Sequence, residues 1–202
     1  MKKQGKKILI CLTATLTAVF FIAQVWAANL SFDPSDMVIR VGGMTDVDII
    51  VSGLENDDLG TFDFNVNYDD TVLDFTGYTL GSGLGIVSSD GSGDAEDWSE
   101  GDLGGGRIHL SELSILDDLS SQPDAFTLAT LSFTGSGFGI SDLSFSESDP
   151  NLPILSDLWA DPLSSALESG SVSVNAVPIP GALWLLGCGL ISLAGIRRRV
   201  KE

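Results

Sequence analysis

The chain predicts an all-β domain, a single antiparallel jelly-roll sandwich, and three observations lead there. Apolar and polar residues alternate with a period of two in several stretches, turn residues recur between them at roughly ten-residue intervals, and no helical spacing of apolar residues is found between positions 28 and 176. The clearest strand is Thr61–Tyr68. Phe62, Phe64, Val66 and Tyr68 fall on one face, and Thr61, Asp63, Asn65 and Asn67 on the other. That is the signature of a strand with one face on a core and one in water.

In chain order, the same period groups Met37, Ile39 and Val41, then Val47, Ile49 and Val51, then the Thr61 strand. It returns in Arg107–Leu113, in Ala129, Leu131 and Phe133, and in Val172 and Val174. The punctuation is Val41-Gly-Gly-Met44, Tyr68-Asp-Asp70, Gly81-Ser-Gly83 and Thr134-Gly-Ser-Gly137, all of turn-forming composition. Short strands separated by such turns pack as a sandwich or a barrel.

Both ends differ from this body. Lys2, Lys3, Lys6 and Lys7 precede an uncharged run from Ile8 to Ile22, and Val25-Trp26-Ala27 ends in residues that signal peptidase tolerates. Residues 1–27 therefore read as a signal helix removed between Ala27 and Ala28. Cys11 lies inside it.

At the other end, 177–202 comprises Val177-Pro178-Ile179-Pro180, an uncharged run over 181–196 and a basic stop over 197–201 formed by Arg197, Arg198, Arg199 and Lys201. At 1.5 Å per residue that run is about 24 Å long, short of the ~30 Å hydrocarbon core. Val177–Pro180 and snorkelling arginines extend it to a thin transmembrane helix, with Trp184 at an interface, Gly187 and Gly189 within it, and the basic cluster cytoplasmic. A proline motif, Trp184-Leu-Leu-Gly187 with Gly189 following, and an arginine stop resemble the PEP-CTERM sorting tail of Gram-negative bacteria. The resemblance implies export, an inner-membrane intermediate, recognition at Pro178 and Pro180 by an exosortase-type enzyme, and delivery to the cell surface or the extracellular matrix near exopolysaccharide and biofilm. The alternative is a permanent membrane anchor.

Residues 28–176 remain as the domain. Both cysteines, Cys11 and Cys188, lie outside it, so packing alone must hold it. Arg40 and Arg107 stand against 27 of the 28 acidic residues, all but Glu202, a formal balance of −25. Such a surface repels phosphate, which excludes nucleic acid as a partner.

Leu59-Gly-Thr-Phe-Asp-Phe-Asn-Val-Asn-Tyr-Asp-Asp-Thr-Val-Leu-Asp-Phe75 resembles the central signature of cohesin-like domains, which are similar in build to carbohydrate-binding modules. Leu128-Ala-Thr-Leu-Ser-Phe-Thr134 resembles a later strand of the same fold. The resemblance covers about 28–176 and implies a cohesin-like sandwich that binds a partner through one sheet face. Its motifs build the fold and do not carry the dockerin partner over to this chain.

Ser88–Gly106 is rich in glycine and acid. Asp90, Asp94, Glu96 and Asp97 are candidate calcium ligands, since calcium takes six to eight oxygens from a flexible loop, but their spacing is not that of an EF-hand. The alternative is an acidic surface loop with no cofactor. Trp98 within it is either an exposed contact for sugar or an anchor for the loop, and Tyr78 and Trp159 are further aromatic candidates. No nucleophile elbow, phosphate loop or Cys/His metal spacing appears. His109, the single histidine, shares a strand face with Ser111, a poor geometry for a nucleophile and its base. The sequence thus points to a non-enzymatic surface or matrix protein, with a carbohydrate- or protein-binding module as the alternative and a hydrolase behind both.

Overall fold

The computed structural model describes residues 27–55, 57–88 and 90–176, together with Cys188. Thirteen strands are present among them: β1 Ala28–Asp33, β2 Asp36–Arg40, β3 Met44–Ser52, β4 Thr61–Asn67, β5 Leu73–Leu80, β6 Ala95–Asp97, β7 Gly101–Asp102, β8 Arg107–Ser114, β9 Phe126–Gly135, β10 Gly139–Glu147, β11 Leu155–Ser156, β12 Ser165–Leu167 and β13 Gly170–Asn175. They form two sheets. One runs β12-β1-β3-β9-β5, and the other β2-β13-β10-β4-β8-β6, with β11 beside β4 and β7 beside β8.

The alternation read from the sequence is what seats the core. Val47, Ile49 and Val51 of β3 and Ala129, Leu131 and Phe133 of β9 face Phe62, Phe64 and Val66 of β4 and Val172 and Val174 of β13, all buried. Between the layers Phe32 stacks on Phe145 at 4.3 Å, and Phe64 meets Phe145 edge-on at 5.4 Å. Phe133 takes Tyr68 and Phe75 on its edges. Each fully buried side chain of this size contributes about 2–3 kcal/mol, which suits a core with no disulfide among the described residues.

Three features depart from the sequence reading. The sandwich is not purely antiparallel: β1 pairs with β12, and β2 with β13, in parallel. The first extended stretch is split at Pro34–Ser35, so its halves join different sheets, and the last strands run alongside both. Val41 lies beyond β2, exposed in the turn, where Gly42 adopts φ +80°. The Ser88–Gly106 segment is not wholly loop, since β6 and β7 both pair with β8.

The expected span 181–196 and basic stop lie outside the described residues, apart from the exposed Cys188. No helix among the described residues is long and apolar enough to cross a membrane. Ala27 is exposed, and Ala28 opens β1 with its side chain buried and its N–H bonded to Ser164 O at 2.9 Å.

Candidate binding face

The outer face of the larger sheet carries a polar row, partly sheltered by the segments around Glu100 and Leu152. Its centre is built by the polar half of the alternation in β4: Asp63, Asn65 and Asn67 point outward, in register with Ser111, His109 and Arg107 of β8. On the other side Asn65 and Asn67 lie opposite Ser146 and Ser144 of β10. Asn67 Nδ2 donates to Ser146 Oγ at 2.9 Å, and Asn65 Nδ2 donates to Glu147 O at 3.1 Å. The second bond fixes the Asn65 amide, and it leaves Oδ1, buried, without a partner. A shallow hollow of about 290 Å³ opens here, lined by Asp63, Asn65, Arg107, His109, Ser148 and Leu152.

His109 is committed within this network. Glu100 N–H donates to Nδ1 at 3.1 Å, so that nitrogen uses its lone pair and the ring proton sits on Nε2, which donates to Asp63 Oδ1 at 3.1 Å. Ser148 Oγ donates to the same carboxylate oxygen. The order is serine–carboxylate–histidine, with the carboxylate in the middle, and no histidine lone pair faces a hydroxyl. A nucleophilic triad needs the histidine between the other two. Ser111 is also engaged elsewhere, its N–H bonded to Ser99 Oγ at 3.0 Å.

The β6 edge carries the residues singled out around Trp98. Glu96 and Trp98 are exposed beside Leu113, while Asp97, also exposed, lies opposite Glu112 in the register. Trp98 is 63% exposed, its indole N–H donates to Glu96 Oε2 at 3.0 Å, and its backbone N–H donates to Ser111 O at 2.9 Å. The ring is therefore a fixed, exposed plate rather than a loop anchor. Beside it is a cleft of about 430 Å³ lined by Glu96, Asp97, Trp98 and Ile115.

The acids of this segment serve its own turns. Asp90 Oδ1 accepts from Ser88 Oγ, Ser92 N and Ser92 Oγ, and those bonds hold its carboxyl down at about 2. Asp97 accepts from Ser99 N and, at 2.9 Å, from Tyr78 Oη. Asp94 offers its backbone carbonyl to Ile115 N–H at 2.9 Å. Among the described residues no group of three or more His, Cys, Asp or Glu side chains is arranged to hold a metal ion. Asp90, Asp94, Glu96 and Asp97 lie along one segment without converging on a common point.

Sequence reading missed Glu112. It is 1% exposed with Oε1 unpartnered, and burial, reinforced by the nearby Asp97 charge, pushes its carboxyl up to about 8. The signal was available: Ile108, Leu110 and Glu112 share one parity in β8, so an inward Ile108 forces Glu112 inward too. Val177, Pro178, Pro180, Trp184, Gly187, Gly189, Arg197, Arg198 and Arg199 lie outside the described residues.

No protein-family model matches the chain, and no curated protein sequence matches it. Solved structures do. The sixth cohesin of scaffoldin B from Acetivibrio cellulolyticus, crystallised in complex with a dockerin, is 22% identical with a TM-score of 0.55, covering 74% of this chain and 99% of the cohesin chain. A type I cohesin–dockerin complex from Clostridium thermocellum gives 14% identity and a TM-score of 0.56, covering 75% and 96%. A type II cohesin domain from the cellulosome of A. cellulolyticus gives 20% identity and a TM-score of 0.53, covering 72% and 94%. At these identities the likeness establishes the fold: the domain is a cohesin-like β-sandwich.

Proposed function

We propose that this chain is an exported, non-enzymatic binding module whose 28–176 domain engages a protein partner through the outer face of β10, β4, β8 and β6. The observation that carries the reading is the polar hollow over β4 and β8, with Asn65 Oδ1 beneath it, buried and without a donor. Leaving such a group unpaired costs about 1–3 kcal/mol, a cost placed next to the hollow rather than in the core. Apolar Leu113 and Trp98 at one rim and Arg107 at the other supply contact area and one of the domain's two cations. The similar solved modules supply precedent, since two of those named above were crystallised with dockerins. The histidine order described above argues against hydrolysis. The test is site-specific photo-crosslinking from position 107, exposed at the rim of the hollow, in the native host, with Leu113→Asp as the competing variant. A single protein adduct lost in that variant supports the reading, whereas labelling spread over many proteins and unchanged by it sinks the reading.

The tail supplies delivery in this proposal. Cleavage between Ala27 and Ala28, an inner-membrane intermediate held by 181–196, and recognition at Val177, Pro178 and Pro180 by an exosortase-type enzyme would leave the module at the cell surface or in the matrix. Mass spectrometry of the mature protein checks it: a C-terminus upstream of Gly181 is expected, and retention of Arg197–Arg199 in an exosortase-positive host means a plain anchor. Contact with exopolysaccharide is a second reading, favoured by the exposed indole that Glu96 holds in place. Mobility in gels containing that polymer, compared with Trp98→Ala, tests it.

A further inference from the structure

Five of the large apolar side chains that the fold leaves exposed gather at one end of the sandwich. Val38 is 69% exposed, Ile140 64% and Phe138 74%, and Val41 and Met44 complete the group. Register brings Val38, Ile140 and Phe138 together, while Met44 opens β3 at the same end of the other sheet, opposite Thr134. Val38 and Ile140 both lie opposite Ser173 on the outer face, and Phe138 stands just before Gly139, the partner of Val174. Val41 N–H bonds Asn175 O at 3.1 Å, and Gly42 N–H bonds Gly135 O at 2.7 Å, which closes the end around these residues. The group is absent from both the core and the polar centre of the candidate face.

This is also the end where the chain leaves the domain. β13 finishes at Asn175, beside Arg40. Only residues 177–180 separate Ala176 from the uncharged run at Gly181, and at 3.3–3.6 Å per residue that linker reaches no more than about 18 Å. Pro178 and Pro180 restrict it further. The opposite end, where Ala28 pairs with Ser165, is the full length of the sandwich away.

We infer that this end is a membrane-facing surface: Phe138, Ile140, Val38, Val41 and Met44 rest on the headgroup layer of a zwitterionic bilayer while the tail is inserted. The inference rests on the proposed insertion of 181–196 and adds a contact made by the folded domain itself. A lipid surface fits the apolar ring and the short tether, since any bilayer holding the tail lies within reach of the patch. Arg40 shares the outer face with Val38, but Asp36 and Asp142 flank Ser171 two residues away, and Asp69 and Asp70 occupy the neighbouring turn. That charge selects against anionic lipid and for a zwitterionic one.

The test uses the full chain, with its signal processed, in phosphatidylcholine–phosphatidylethanolamine vesicles containing a headgroup-diazirine lipid. Lipid adducts on peptides containing 138–140 and 38–44 are expected to exceed those on peptides containing Trp98 and Trp159 at least tenfold. Phe138→Glu with Ile140→Glu should abolish them while leaving the melting temperature and carbonate resistance unchanged. Adducts confined to the tail of a carbonate-resistant protein overturn the surface contact and leave the delivery reading standing. Extraction of the wild type by carbonate overturns both. Protein–protein crosslinks at position 138 in place of lipid adducts overturn the lipid assignment in favour of a second copy.

Discussion

Two corners of the same sheet expose apolar side chains, and they are built on opposite terms. At the β6 corner Trp98 stands in a framework of polar bonds: Glu96 holds its indole, Tyr78 reaches across from the other sheet to Asp97, and Glu112 lies buried beneath. At the diagonal corner Ser173 alone lies between Ile140 and Val38, Phe138 stands one position beyond Gly139, and no side-chain hydrogen bond is made by any of the three. A contact with defined geometry needs the first arrangement, since preorganised side chains give up little entropy on binding. A contact that need only be apolar is served by the second.

Changes that break or sharpen this contrast rank by size. Phe64→Ala removes the ring under Phe145, which both corners share, and should cost about 3–5 kcal/mol in urea unfolding, erasing the comparison altogether. Glu112→Gln touches the Trp98 corner alone. Because the folded state keeps the Glu112 proton up to about 8 while the unfolded state releases it near 4.5, the unfolded state binds fewer protons between those values. Wild-type stability should therefore fall as pH rises through that window and level off above it. The glutamine variant should flatten the profile, gaining on the order of 2 kcal/mol at pH 8.5 and little at pH 4.

Tyr78→Phe deletes the bond to Asp97 and should cost about 1 kcal/mol, read from the same unfolding curves. Trp98→Ala and Phe138→Ser should each move stability by less than about 0.5 kcal/mol, being surface changes. They should separate by ligand, the first altering polymer mobility and the second lipid adducts. Smallest of all, millimolar calcium should leave the melting temperature unchanged, since the acids of the Ser88–Gly106 segment do not converge.

The legibility of the chain follows the same physics. β3, β4, β9 and β13 announce themselves because one face is uniformly apolar. β10 does not, because Ser141 points inward and Ile140 outward, inverting the pattern that sequence reading relies on. Around the candidate face, Trp98 was visible as a residue type, but its support by Glu96 was not. The Asp63–Ser148 contact joins residues 85 apart in sequence and leaves no local trace. Glu112 was readable from strand parity and went unread, because a carboxylate between Ser111 and Leu113 resembles an ordinary surface position until its face is assigned. The parallel closure by β12 and β13 depends on the break at Pro34–Ser35, which no periodicity encodes.

That closure constrains how the protein comes into being. Asp36 pairs with Ser171, 135 residues later, and the Ser171 hydroxyl donates to the Asp36 carboxylate at 2.7 Å. Under the proposed export, a chain threaded N-terminus first would complete its sandwich only after nearly the whole domain had crossed, because the edge that seals β2 arrives last. Long-range closure of this kind is slow, which would keep the polypeptide threadable during that export. In the proposed export the native state would then become available only as the last strands emerge, so that folding would follow transport.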